Sequence, residues 1–341
     1  MKQYVGLDVS QAETAICVID ETGRCCWEGT CRSTPEAIGR LLRERAPEAA
    51  TIAMETGPLA VWHWHALRHA GFPVVCLHAR HAQAALSLQL NKTDRNDAAG
   101  LAQLVRLGWY RAVEVKSLES HALRVVLRVR AQLIAMRTTL SNQIRGLLKT
   151  FGVVLAPGRG QRFQQLVEAR LPHVSPIRLV ITSLLTLWQQ VGEELKQFDR
   201  EIDRQARASA VCRRLMSVPG VGSITAVAYV AMVDNPARFT RSADVGAYLG
   251  LTPRRYQSGA VDRQGSISKC GDRLVRAVLF EAAAVLLSRI KTPSALRAWG
   301  LHLVARIGLQ KARVAVARKL AVLLHHLWIT DSSFLPAPGT A

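Results

Sequence analysis

The chain opens on β-branched and alternating apolar positions. Residues 3–8 (QYVGLD) and 14–19 (TAICVI) predict two strands around a short polar turn, and residues 24–30 offer a third. Pro35, at a first-turn position, opens a helix to about Arg45. A strand at 50–54 (ATIAM), a helix at 59–70 and a strand at 73–77 (PVVCL) follow. Three leading strands followed by alternating helices and strands argue for a mixed α/β domain. In KTDRNDAAGLAQLVRLG, Thr93 is placed to N-cap a helix that runs to Gly108.

Beyond this point the pattern is helical. From Ser117 to Thr150 there is no Pro and Gly146 is the only Gly. A continuous helix there would be about 50 Å long. A second helical stretch spans about 175–208. Two long helices in succession suggest a coiled-coil spacer of the kind that joins subunits, and a pair of ordinary core helices is the alternative. Residues 211–330 form a third, mainly helical unit, with VPGVG at 218–222 and the polar segment TPRRYQSGAVDRQGSISKCG at 252–271. The tail SSFLPAPGTA is expected to be disordered. The expected domains are therefore 1–112, 113–210 and 211–330, with a tail at 331–341.

Composition sharpens this division. Of 341 residues, 49% are hydrophobic, enough for packed cores. The net charge of +20 is unevenly placed. Residues 1–110 hold 11 basic and 11 acidic side chains, and residues 111–341 hold 34 basic and 14 acidic ones. The excess points to a polyanion, nucleic acid above all, for the C-terminal two-thirds. A solvated basic surface is the bland alternative. Cysteines at 17, 25, 26, 31, 76, 212 and 270 form no CxxC pair and are odd in number, against structural zinc or a disulfide framework. MKQYVGLDVS reads as a strand rather than a signal peptide, and no apolar run is long enough for a membrane span. A reducing cytoplasm is the location that fits these features.

Carboxylates supply the first candidate chemistry. Asp8 and Glu55 stand at strand ends, and Asp94 and Asp97 lie at i and i+3 on one helix face. Four carboxylates at one point repel unless a cation neutralises them, and such hard oxygen donors suit Mg²⁺ or Mn²⁺. Taken singly, each is an ordinary turn former or helix-dipole partner. Their order resembles the RNase-H-like nuclease fold in its Holliday-junction-resolvase form, with its Asp-Glu-Asp-Asp set.

The second candidate is Ser258, in RRYQSG, with Arg254, Arg255, Arg263 and Lys269 nearby. A serine hydroxyl must be activated to attack phosphorus, and neighbouring cations stabilise the extra charge of the transition state. Ser266 and Ser268 are rivals on the same grounds, and a plain polar loop is the alternative for the whole segment. VPGVG followed by a helix resembles a helix-hairpin-helix, in which Gly220 and Gly222 would let backbone N–H groups approach a phosphate. His63, His65 and His69 share a helix with Trp62 and Trp64 and read as incidental. No GxxxxGK[ST] loop occurs, so no NTPase is indicated.

YVGLDVS, METG, KTDRNDA, SVPGVG, LGLTPRRYQSG and GSISKCGDRLVRA, in that order, resemble the transposases of the insertion sequence 110 family. The resemblance spans about residues 3–325. It implies a DNA recombinase, guided by a structured bridge RNA that pairs with donor and target DNA. It implies that Asp8, Glu55, Asp94 and Asp97 bind metal and that Ser258 is the nucleophile of a phosphoserine intermediate. The long helices would join subunits as dimers pairing into a tetramer, the acidic set of one subunit would work with the serine of another, and the chain would act in the bacterial cytoplasm at the nucleoid. A junction-type nuclease using water, and a non-catalytic nucleic-acid-binding protein, are the rival readings.

Overall fold

In the computed structural model the described residues are 1–87, 91–171, 175–259 and 261–335. They divide into two compact units, Met1–Leu118 and Glu119–Ala341.

The first unit is built on a mixed sheet. β1 (Gln3–Val9), β2 (Glu13–Asp20) and β3 (Cys25–Arg32) form an antiparallel meander, as the β-branched runs predict. α1 (Pro35–Arg45) begins at a Thr34 cap whose side chain accepts from the Ala37 N–H. β4 (Ala49–Glu55), α2 (Ala60–His69) and β5 (Val74–Leu77) follow. α3 (Ala79–Leu86), α4 (Asp94–Arg106) and a two-residue strand, β6 (Ala112–Val113), complete the unit. The sheet order is β3-β2-β1-β4-β5-β6, with β1, β4 and β5 mutually parallel and β6 antiparallel to β5. One face packs Val5, Leu7, Ile52 and Met54 with Ile38, Leu42 and Leu67 of α1 and α2. The other is covered by α4, where Ala98 and Ala102 meet Ala15 and Cys17, and Leu101 meets Ala53. The period of two along β1 and β4 thus divides their side chains between two cores.

The second unit is mainly helical. α5 (Leu118–Thr150), α6 (Gln161–Glu168) and α7 (Ser175–Ala208) come first. α8 (Ala210–Leu215), α9 (Ser223–Val233), α10 (Ser242–Tyr248), the hairpin β7 (Pro253–Ser258)–β8 (Val261–Ile267), α11 (Arg273–Ser288), α12 (Ala295–Ile307) and α13 (Leu309–Ile329) follow. The main core joins the C-terminal half of α7 to α8–α11 and α13, with Tyr229 donating to the Ala321 carbonyl at 2.7 Å from full burial. A smaller core of Ile144, Leu148, Phe163, Val167, Ile181 and Trp188 ties α6 to the far ends of α5 and α7. Ordinary core packing thus accounts for both long helices at several points along their lengths.

One expectation changes here. The polar segment around Ser258 is a hairpin and not a loop. The tail expected to be disordered is described only at 332–335, and 336–341 lie outside the described residues. Among the described residues no helix is long and apolar enough to cross a membrane.

Candidate active site

One contact organises the acidic end of the first unit. Gly6 of β1 lies so close to α4 that a Cβ built on it would stand 1.9 Å from the Ala98 carbonyl oxygen and 2.7 Å from the Ala102 nitrogen. Only a residue without a side chain lets the helix rest on the strand here. Asp97 directly precedes Ala98. Asp8, two residues beyond Gly6, leaves the strand on the same face.

The parallel register brings in Glu55. Gly6 pairs with Ala53 and Leu7 with Met54, so the next positions are Asp8 and Glu55, at the C-terminal ends of neighbouring strands. Ala53 packs against α4, and Glu55, two residues on, faces the same way. The first turn of α4 holds Asp94 and Asp97 behind a Thr93 cap, whose hydroxyl accepts from the Asn96 N–H at 3.2 Å. The positive end of the helix dipole thus offsets part of the crowding of negative charge.

The electrostatics record that crowding. Burial, then the Asp94 and Asp97 charges, push Asp8 up to about 6. Glu55 is raised by burial and by Asp8 and Asp97. Lys92 pulls both down. It is a functional candidate that sequence reasoning passed over, although it stands two residues before Asp94 in KTDRNDA. Among the described residues, no three Asp, Glu, His or Cys side chains are grouped closely enough to hold one metal ion. The expected set therefore lies together at the C-terminal ends of the central strands β1 and β4 and the first turn of α4, without being closed around an ion. Its donor chemistry, hard oxygens that repel one another, is that of a divalent-cation site.

In the second unit Ser258 ends β7 and pairs with Val261 across the turn that begins at Gly259, where φ is +54°. It is exposed. The alternation of the hairpin sorts its neighbours. Tyr256 and its partner Arg263 share the Ser258 face, while Arg255 projects from the opposite one. There Arg255 holds Asp262 with two bonds, at 2.9 and 2.7 Å. Arg254 donates to the Ser268 carbonyl at 3.2 Å. Lys269 adopts φ +55° at the hairpin's exit, its N–H bonded to the Gly250 carbonyl. Ser266 is exposed and Ser268 partly buried.

The glycines of VPGVG part company. A Cβ on Gly220 would meet the Ala282 carbonyl at 2.6 Å, so this residue lets α11 approach. Gly222 caps α9 with open space around it, free for a phosphate to approach. The helix histidines have local roles: His63 Nδ1 bonds the Leu59 carbonyl and His65 Nε2 the Lys116 carbonyl. All seven cysteines are free.

Known proteins match both stretches that carry candidate chemistry. A family model described as Transposase matches residues 5–152, which include the four carboxylates. One described as Transposase IS116/IS110/IS902 family matches residues 212–299, which include Ser258. The transposase for insertion sequence element IS1111A of Coxiella burnetii is 28% identical over 345 residues, covering 97% of this chain and 91% of its own. A probable family 20 transposase of Pseudomonas aeruginosa is 30% identical over 252 residues, 72% of this chain and 75% of its own. The Thermus thermophilus RuvC structure aligns with 33% of this chain and 99% of its own, at 14% identity and a TM-score of 0.25. At that score the likeness carries no weight, and the fold rests on the sheet order. Both of the sequence relatives described above are transposases by name. The chain belongs to the IS110 family of transposases.

Proposed function

We propose that the protein is a DNA recombinase that cuts and rejoins strands of a mobile element through a phosphoserine intermediate at Ser258. The observation that carries the reading is the Gly6–Ala98 contact, which draws Asp8, Glu55 and Asp97 together at the C-terminal ends of the central strands of an RNase-H-like sheet. Asp8, Glu55, Asp94 and Asp97 would hold Mg²⁺ or Mn²⁺, which supplies charge neutralisation at a phosphodiester when bound. A cation bound there would relieve the mutual repulsion that raises Asp8 and Glu55.

The chain's own residues have the following parts. Ser258 Oγ attacks phosphorus, an O–P bond forms, and the bond to O3′ breaks. The serine proton ends on the leaving 3′-oxygen. DNA then carries a free 3′-OH, and its 5′-phosphate is esterified to Ser258. Arg263, on the same hairpin face, is placed to stabilise the extra charge on phosphorus. In the second step a 3′-OH attacks the phosphoserine, the serine hydroxyl is restored, and no ATP is needed. Gly222 and Lys269 would contribute phosphate contacts. Arg254 and Arg255 would brace the hairpin through the bonds already described.

The partners in this reading are donor and target DNA, a bridge RNA, and further copies of the chain joined through the long helices. The domains would be an acidic domain at 1–112, a spacer at 113–210 and a serine-bearing domain at 211–330. Incubation with donor DNA, target DNA, Mg²⁺ and the non-coding RNA flanking the gene tests the reading. Joined product is expected from the wild-type chain and none from Ser258→Ala or Asp97→Ala. Normal product from either variant contradicts it.

A further inference from the structure

The far ends of the long helices hold a site that neither the acidic set nor the hairpin uses. α5, α7 and the segment entering α6 line an open cavity of about 520 Å³. Three arginines line it: Arg137 and Arg145 from α5, and Arg159 from the segment before α6. Two are stacked on aromatic rings, with the Arg137 guanidinium 4.0 Å from the Trp188 centroid and that of Arg145 4.7 Å from Phe163.

The stacking is held in place from behind. Trp188 and Phe163 belong to the small core, and Trp188 Nε1 donates to Ser141 Oγ at 2.8 Å. Arg145 donates to the carbonyls of Ala156 and Gly158, at 3.4 and 2.9 Å. Gly192 leaves room for Arg137, since a Cβ there would stand 3.0 Å from its Nη2. Arg137 Nε is buried and has no hydrogen-bond partner among the described residues. Burial also lowers the pKa of that guanidinium, with Glu193 acting weakly against it. Glu193 itself is engaged at 2.8 Å by Lys196. Arg137 is partly buried and one of its nitrogens is unpaired among the described residues, so an anion beside its fork would offset the cost of its desolvation.

We propose that this cavity is a phosphodiester-binding site, in which Arg137, Arg145 and Arg159 grip the backbone of a nucleic acid strand. Arginine forks held rigid on rings suit phosphate oxygens, because little side-chain freedom is lost on binding. Bases are not the target: guanidinium groups already cover the ring faces on which bases would stack. The grip is therefore on charge, and it adds an anchor remote in sequence from the carboxylates and Ser258. For the class of partner the inference rests on the proposed function; the site itself rests on the cavity.

The test is binding by the full-length chain, without any cutting step. A labelled single-stranded RNA and a labelled DNA duplex, both of arbitrary sequence, are titrated from about 50 to 200 mM salt. Arg137→Gln/Arg159→Gln is compared with wild type and with Arg207→Gln, which alters an arginine about 28 Å along α7 from Trp188. Arg159→Gln alone, at an exposed position, guards against misfolding of the double variant.

The expected result is a salt-dependence slope shallower by about 1 to 2 in the double variant, by about half that in Arg159→Gln, and by less in Arg207→Gln. The probe that responds identifies the strand as RNA or DNA. An unchanged slope, or an equal change in Arg207→Gln, overturns the site and leaves the proposed function standing. A chain that binds neither probe overturns both. Intact binding and slope changes without strand joining count against the proposed function alone.

Discussion

Gly6 and Ala98 touch backbone to backbone, with no space for a methyl group between strand and helix. That contact fixes the height of α4 on the sheet, and with it the distance from the Asp94–Asp97 turn to Asp8 and Glu55. Gly6→Ala is expected to destabilise the first unit by about 3 kcal/mol, because the obstacle is backbone that cannot rotate away. Gly57→Ala, at a site with nothing within 4 Å of the added Cβ, is the control and should change stability little. Denaturant midpoints of the two variants measure the difference.

The raised Asp8 carboxyl makes stability depend on pH. Its ordinary value is 3.8 and its folded value about 6, so the folded state favours the protonated form. The penalty is absent below 3.8, grows between 3.8 and about 6, and is complete above that. Asp8→Asn removes it. The variant should be more stable than wild type at pH 7 by about 1–2 kcal/mol, the full linkage value being reduced for solvent screening. The gain should vanish near pH 4, as thermal melts without divalent ions at the two pH values will show.

A divalent ion should act on the same charges. Adding Mg²⁺ at neutral pH is expected to raise the melting temperature of the wild-type chain, and chelation to reverse it. The rise should shrink at pH 5, where Asp8 is largely protonated, and in Asp8→Asn. A rise of equal size in all three conditions contradicts the assignment of the ion to these carboxylates.

The two glycines of VPGVG should respond oppositely. Gly220 has φ +91° and faces the α11 backbone, so Gly220→Ala is expected to cost about 2–4 kcal/mol of stability. Gly222→Ala should leave stability nearly unchanged and report on DNA affinity alone. Denaturation together with a filter-binding titration separates packing from phosphate contact.

Much of this fold is legible in the sequence, for identifiable reasons. β1, β2 and β4 alternate between two cores, and α1 and α4 carry Thr34 and Thr93 where caps are needed. The hairpin at Ser258 is not legible as strand: every residue of β7 is exposed, so no buried face imposes alternation. β6 is two residues long and carries no pattern at all. α3 was not predicted either, being short and only lightly buried.

For the candidate site, residue types and spacing mark Asp8, Glu55, Asp94 and Asp97. Their convergence depends on the β1–β4 register and on Gly6, both long-range contacts that no local pattern encodes. Lys92 is missed for a simpler reason, since a lone lysine reads as solvated until its reach to two carboxylates is known. The division of Arg255 from Arg263 likewise needs the hairpin register.

The direct test of Ser258 is the chemical identity of the bond formed during cutting. The chain is stopped mid-reaction with donor DNA, Mg²⁺ and the flanking RNA, then denatured and digested with nuclease and protease. Mass spectrometry should find a nucleotide remnant on the peptide carrying Ser258, and the adduct should be absent from Ser258→Ala. A remnant on Ser266 or Ser268, or cut DNA from Ser258→Ala with no protein attached, would contradict the serine mechanism and leave water or another hydroxyl as the nucleophile.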